Sequence, residues 1–390
     1  MKKHLLFSLI AFGLIIITTG CNKKYIYTQE ELEDSIMDKL HLDKAEAQTL
    51  IPFTTSDKII EISRNIAKYA TTARAQSNAI LMKIIGDDSL NVVYEHDSNL
   101  TAYEVVIQRS ANCISYTNLF IAIARSLGLD AVFVDVTQQI EFGSDQYFNY
   151  QEGHICAGIR DGDRLLLYDF VYNSKHYKKF RVIDDLEAIA NFMTILGAGN
   201  DRSYLATHKK EFKDRALYYH TAALTISPKF TRAMNNLAVI YIREGNLDAA
   251  EGLLIQALKI DDSLNVERFN LAEIYIRRGD LSTAKNLLLQ NLDYAMGDPY
   301  TYHRLGLIYF TQKNLEEAEK FFRKAISMKN DYLEPRLGLI SLLVVTERFE
   351  DAQDIIDDSD EVFPKNEKIN IYRELLLKKN ETEIPIANLN

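Results

Sequence analysis

Apolar and polar positions along this chain follow two regimes, an irregular first half and a periodic second half. In the first half, Thr28-Gln29-Glu30-Glu31 forms a capping box that opens a helical pattern running to about residue 40. At 57–69, Ile59, Ile60, Ile62, Ile66 and Tyr69 lie on or beside one helical face, and helical spacing returns at 78–85 until Gly86 stops it. A second capping box, Thr101 to Glu104, starts a helix that carries Val105 and Val106 up to Cys113. The continuous apolar run 119–124, with Leu119, Ile123 and Leu127 on one stripe, predicts a helix buried on most sides. Gly128 supplies its left-handed stop, and the β-branched run 131–136 reads as a short buried strand.

Residues 137–152 are polar and aromatic, with Phe142, Tyr147, Phe148 and Tyr150, and predict a long loop. Such a loop is either a binding loop or lid, or one whose aromatics pack on themselves. Two apolar runs then flank Arg160-Asp161-Gly162-Asp163, where Asp-Gly predicts a type I′ hairpin turn. With Asp161 and Gly162 as the turn, paired residue numbers sum to 323 and His154 lies opposite Asp169, on one face of the hairpin. A bulge would break that register. Residues 184–196 predict a closing helix, and Gly197-Ala198-Gly199-Asn200 interrupts it, which places a domain boundary there.

In the second half Ala216, Ala250, Ala284, Ala318 and Ala352 recur every 34 residues, in register with Leu237, Leu271, Leu305 and Leu339. Tyr241, Tyr275 and Tyr309 keep the same period, and Ala223, Ala257 and Ala325 form a further series broken by Asn291 and Ser359. Leu305-Gly306, Tyr309, Ala318, Phe322 and Ala325 resemble the tetratricopeptide repeat. Five units over 201–364 are implied, the first degenerate at Ser203, Tyr204 and Thr207, with a capping helix at 365–380. The resemblance implies an all-α solenoid that binds a peptide or protein partner.

A formal charge of -10, with acids and bases interspersed, argues against nucleic acid as a partner. The first twenty residues are a separate object. Lys2 and Lys3 precede the apolar segment 5–17 and a small-residue exit, which is the pattern of a signal peptide. Thr18-Thr19-Gly20-Cys21 resembles the lipobox of bacterial lipoproteins, with Thr18 where that pattern prefers Leu or Val. It implies lipidation at Cys21 and a membrane-anchored protein facing the periplasm or outside; Asn22 favours the outer membrane under Gram-negative sorting. An uncleaved anchor is the alternative. Residues 21–56 then form a tether with the first helix.

Lipidation leaves Cys113 and Cys156 in the folded part. Cys113 stands at a helix start, where free amides and the macrodipole favour a thiolate, while His154 can act as its base and Asp169 can orient the imidazole. Cys156, on the strand face of His154, is expected either in the core against the central helix or in a disulfide with Cys113. Together these four could also ligate a metal, but the close paired spacing of zinc sites is missing. His96 and His176 are further groups within reach.

Arg109-Ser110-Ala111-Asn112-Cys113, the helix with Leu119, Ala124, Arg125 and Gly128, then Gly153-His154 and Tyr168-Asp169 resemble the transglutaminase-like core of the papain-like superfamily. Ala111 departs from the glycine often found there. The resemblance covers about 97–172 and implies an α+β domain over 57–196, a central helix against an antiparallel sheet. It maps a catalytic triad onto Cys113, His154 and Asp169 and implies acyl transfer through a thioester, with no cofactor. By analogy with papain, Gln108 is an oxyanion candidate or else a polar helix-end residue. Two functions stay open: a lipid-anchored cysteine hydrolase or acyltransferase whose repeats recruit a protein, and a non-catalytic scaffold that retains the cysteine domain.

Overall fold

A computed structural model of the chain describes residues 25–86, 89–144, 149–172, 177, 179–294 and 298–379. The signal segment and Cys21, residues 145–148 of the expected loop, His176 and the tail from Asn380 lie outside them. Two compact units divide the helical half between Ile240 and Tyr241. No helix among the described residues is long and apolar enough to cross a membrane.

The first unit opens with four helices, α1 (Gln29–Leu40), α2 (Lys44–Thr49), α3 (Asp57–Ala67) and α4 (Ala73–Ile85). Thr28 and Glu31 form the expected capping box, and Asp43 with Glu46 forms another that starts α2. The strand β1 (Val93–Tyr94) precedes α5 (Ala102–Gln108), which begins at the Thr101–Glu104 box. This helix does not reach Cys113 as expected. Arg109 turns left-handed at φ 57° and the chain forms β2 (Ser110–Ala111), pairing in parallel with β1.

Next comes α6 (Cys113–Ser126), in which every residue from Ile114 to Ala124 is buried. A helix buried over eleven successive residues sits inside, and α6 belongs to the unit's main core. Gly128 caps its end region at φ 78°. The strands β3 (Ala131–Ser144), β4 (Asn149–Asp161), β5 (Arg164–Tyr168) and β6 (Arg181–Ile183) form a sheet in the order β5-β4-β3-β6. Most of the segment expected to be a loop after residue 136 is therefore strand.

One sheet face contributes Phe133, Ile155, Ala157, Ile159, Leu166 and Tyr168 to the core that contains α6. The other gathers Val132, Val134, Val136, Leu167, Tyr177 and Cys156. Cys156 is thus packed away from the central helix, contrary to the expectation, because strand residues alternate between faces and its neighbours Ile155 and Ala157 take the helix side.

The hairpin register also differs. Asp161 pairs with Arg164 and Ala157 with Tyr168, so paired numbers sum to 325, not 323. The turn residues are Gly162 and Asp163, with Gly162 at φ 61°. A type I′ turn over Asp161-Gly162 would force an aspartate to positive φ; the observed Gly-first turn places glycine alone there, as in type II′.

The helix α7 (Asp185–Thr207) runs unbroken through Gly197-Ala198-Gly199-Asn200, where the sequence predicted an interruption. It packs against α8 (Lys210–Ile226). A Cβ on Gly197 would lie 2.6–2.9 Å from ring atoms of His220, so this glycine permits close helix approach and does not stop the helix.

Helical pairs continue with α9 (Thr231–Arg243), α10 (Leu247–Ile260), α11 (Asn265–Arg277), α12 (Leu281–Tyr294), α13 (Pro299–Thr311), α14 (Leu315–Met328), α15 (Leu333–Val345) and α16 (Phe349–Val362), ending at α17 (Glu367–Lys379). In the second unit Ala250, Ala284, Ala318 and Ala352 are fully buried, which explains why only a methyl side chain recurs there. Asn291 and Ser359, the breaks in the alanine series, are buried too and face Arg268 and Arg336, at 3.3 and 3.4 Å. These polar substitutions are satisfied in pairs.

Candidate active site

The start of α6 is fixed by its cap. The Asn112 side chain accepts the amide of Ser115 at 3.1 Å and donates to Asn99 Oδ1 at 2.6 Å and to the His96 carbonyl at 3.3 Å. Ser115 extends the same clamp, donating to the Ser98 carbonyl at 2.9 Å and accepting the Leu100 amide at 2.7 Å. Cys113 is therefore held at the first helical position, half-buried and with a free thiol. Helix geometry leaves the amides of Cys113 and Ile114 without intrahelical partners.

His154 on β4 meets Asp169, which follows β5 directly. In the observed register Cys156 is aligned with position 169, and His154 lies two residues further along the same face. The two-unit change in the sum preserved face parity, so the predicted pairing survives as a diagonal one. Nε2 of His154 donates to Oδ2 of Asp169, and Cys113 lies close enough to the imidazole to help hold its proton. Because Nε2 is taken, the nitrogen that serves Cys113 is Nδ1.

Both His154 and Asp169 are buried, at 5% and 4% exposure, so their contact is screened little by solvent. Burial is the largest influence on His154 and opposes its charge. Hydrogen bonds and charge from Asp169 and Cys113 outweigh it and raise the imidazole from its ordinary 6.5 to about 9. Asp169 is itself well anchored: Oδ1 accepts the amides of Val171 at 2.7 Å and Tyr172 at 2.9 Å. Tyr172 packs edge-on against His154, with ring centroids 4.9 Å apart. Thr117, one turn along α6, donates to the Cys113 carbonyl at 2.8 Å, with the Ile155 carbonyl at 3.2 Å, tying the helix to the strand of His154.

The structure thus brings together Cys113, His154 and Asp169. Gln108 is exposed at the end of α5, with β2 between it and Cys113 along the chain. Exposed His96 contributes its carbonyl to the Asn112 clamp. Cys156 is a free, fully buried thiol raised well above its ordinary value, chiefly by burial. Among the described residues no group of three or more His, Cys, Asp or Glu is arranged to hold a metal. Sequence reasoning missed the Asn112–Asn99 clamp and Tyr177, whose hydroxyl donates to Asp169.

Models of the tetratricopeptide repeat match residues 214–265 and 299–332. The chain carries tetratricopeptide repeats. These two matches lie within the repeats and include none of the residues around Cys113. Among solved structures the chain is similar to one described as the functional characterization of Pseudomonas aeruginosa PilF, at 20% identity over 49% of this chain and 84% of that one, TM-score 0.43. It is also similar to YrrB, described as a TPR protein with an unusual peptide-binding site, at 15% identity over 48% and 91%, TM-score 0.38. A third is a thermophilic TPR protein of Thermus thermophilus, at 20% identity over 46% and 99%, TM-score 0.39. The comparison with curated proteins gives no match.

Proposed function

We propose that the first half is a transglutaminase-like cysteine hydrolase or acyltransferase, and that the repeats recruit its protein or peptide substrate. The observation that carries this reading is the single imidazole that holds a buried carboxylate and lies near enough to Cys113 to feel it. An imidazolium beside the sulfur and a helix N-terminus behind it both attract negative charge. In the reaction the Cys113 sulfur attacks an acyl carbonyl, and the amides of Cys113 and Ile114 receive the oxyanion. His154 gives its proton to the departing amine as the C–N bond breaks, leaving a thioester. Water, or an amine acceptor, then gives a proton to His154 and displaces the sulfur, releasing the acid or the new amide. Asp169 holds the ring orientation throughout. A lipid anchor at Cys21 belongs to the same proposal and would keep the protein at a membrane surface outside the cytoplasm.

The second reading, a scaffold with a silent cysteine domain, draws support from the repeat matches. The rate of Cys113 alkylation against pH, in wild type and His154→Ala, separates the two. The enzyme reading expects wild-type Cys113 to react well below pH 8 and to slow at least about tenfold at pH 6.5 in the variant. Parallel profiles rising near the ordinary thiol value of about 8.5 would leave only the scaffold. Acyl substrates with and without amine acceptors then distinguish transfer from hydrolysis.

A further inference from the structure

Asp169 accepts from four groups among the described residues, and one of them has no place in the Cys-His-Asp relay. The amides of Val171 and Tyr172 hold Oδ1, while Oδ2 receives both His154 Nε2 and the hydroxyl of Tyr177. Backbone amides two and three residues ahead hold Oδ1. The Tyr177 hydroxyl holds the other oxygen, the one that meets His154. Its ring is 3% exposed and sits among Val132, Val134, Val136, Leu167 and Cys156, so this donor is carried by the packed face of the sheet, the face away from α6. Burial, and then the neighbouring carboxylate, push the phenol far above its ordinary range, which favours the protonated, donating form.

We propose that Tyr177 is a positioning residue of this site, locking the Asp169 carboxylate in the orientation that holds His154 toward Cys113. The proposal rests on the triad reading. Tyr177 is 6.3 Å from His154 ring to ring, and its hydroxyl bonds the carboxylate, so it acts through Asp169 and not on the reacting atoms. The other groups facing the imidazole are Cys113 and Tyr172.

The test is the NMR titration of His154 in full-length wild type, Tyr177→Phe, Asp169→Asn and the double variant. Tyr177→Phe keeps the ring and removes only the donor. We expect its His154 midpoint to fall by about one pH unit, kcat to drop about tenfold with KM unchanged, and the double variant to titrate like Asp169→Asn alone, because the hydroxyl acts only through the carboxylate. An unchanged His154 midpoint in Tyr177→Phe, or effects that simply add in the double variant, would overturn the proposal. Should Tyr177→Phe fail to fold, ortho-fluorotyrosine at 177 keeps shape and donor but strengthens the hydrogen bond. The His154 midpoint then moves if the hydroxyl bonds Oδ2, and an unmoved midpoint refutes the bond. The titration needs no turnover: inert Cys113 with a shifted midpoint would refute the enzyme and keep the tyrosine's role, whereas reactive Cys113 with an unshifted midpoint would do the reverse.

Discussion

At the scale of the residue, His154 decides how this site behaves with pH. Its folded value is raised from 6.5 to about 9, so the folded state holds a proton that the unfolded chain releases earlier. The stabilisation is therefore complete below about 6.5 and is lost as pH climbs through about 9. Asp169→Asn removes the charge that sustains it and leaves burial, which acts the other way. The stability advantage of wild type over Asp169→Asn, read by urea denaturation, is expected to be greatest near pH 6 and to shrink by roughly 3 kcal/mol by pH 9.5. An advantage independent of pH would mean that His154 is not charged in the folded protein. The contact of His154 with Asp169 was legible beforehand, because a histidine near an aspartate on a hairpin is a local signal. Tyr177 was not, since it reaches Asp169 across an irregular segment that no periodicity governs. Gln108 closes α5 just before Arg109 turns left-handed.

Among the elements, the hairpin and α7 teach opposite lessons about glycine. Gly162 was rightly read as a turn residue but given the second turn position, and the chain places it first, where positive φ costs only glycine nothing. Face parity depends on whether the register moves by an odd or an even step, so the His154–Asp169 relation outlived the error. Gly197 was read as a helix stop and is instead a contact residue beneath His220. A glycine inside a helix costs about 0.5–1 kcal/mol relative to alanine. Here the sign should reverse. Gly197→Ala is expected to destabilise by about 1–3 kcal/mol in thermal or urea melts, because the new methyl meets the His220 ring at 2.6 Å. A variant more stable than wild type would show that α7 and α8 do not pack this closely. No signal in a single sequence separates a glycine that ends a helix from one that lets a neighbour approach.

For the whole molecule, the repeat half was the more legible because its argument is arithmetic: residues at a 34-residue interval are buried alanines in successive helical pairs. The first half has no such period, and its sheet, cap clamp and carboxylate anchor come from contacts between distant segments. The proposed function requires Cys113 to carry an acyl group during turnover. Full-length protein should be mixed with an activated peptide ester, quenched in acid within seconds and weighed intact. The account predicts an adduct of one acyl mass, mapped to Cys113, released by neutral hydroxylamine and absent from Cys113→Ser. A Cys113 that is alkylated readily yet never takes an acyl group from a panel of peptide esters and amides would contradict it.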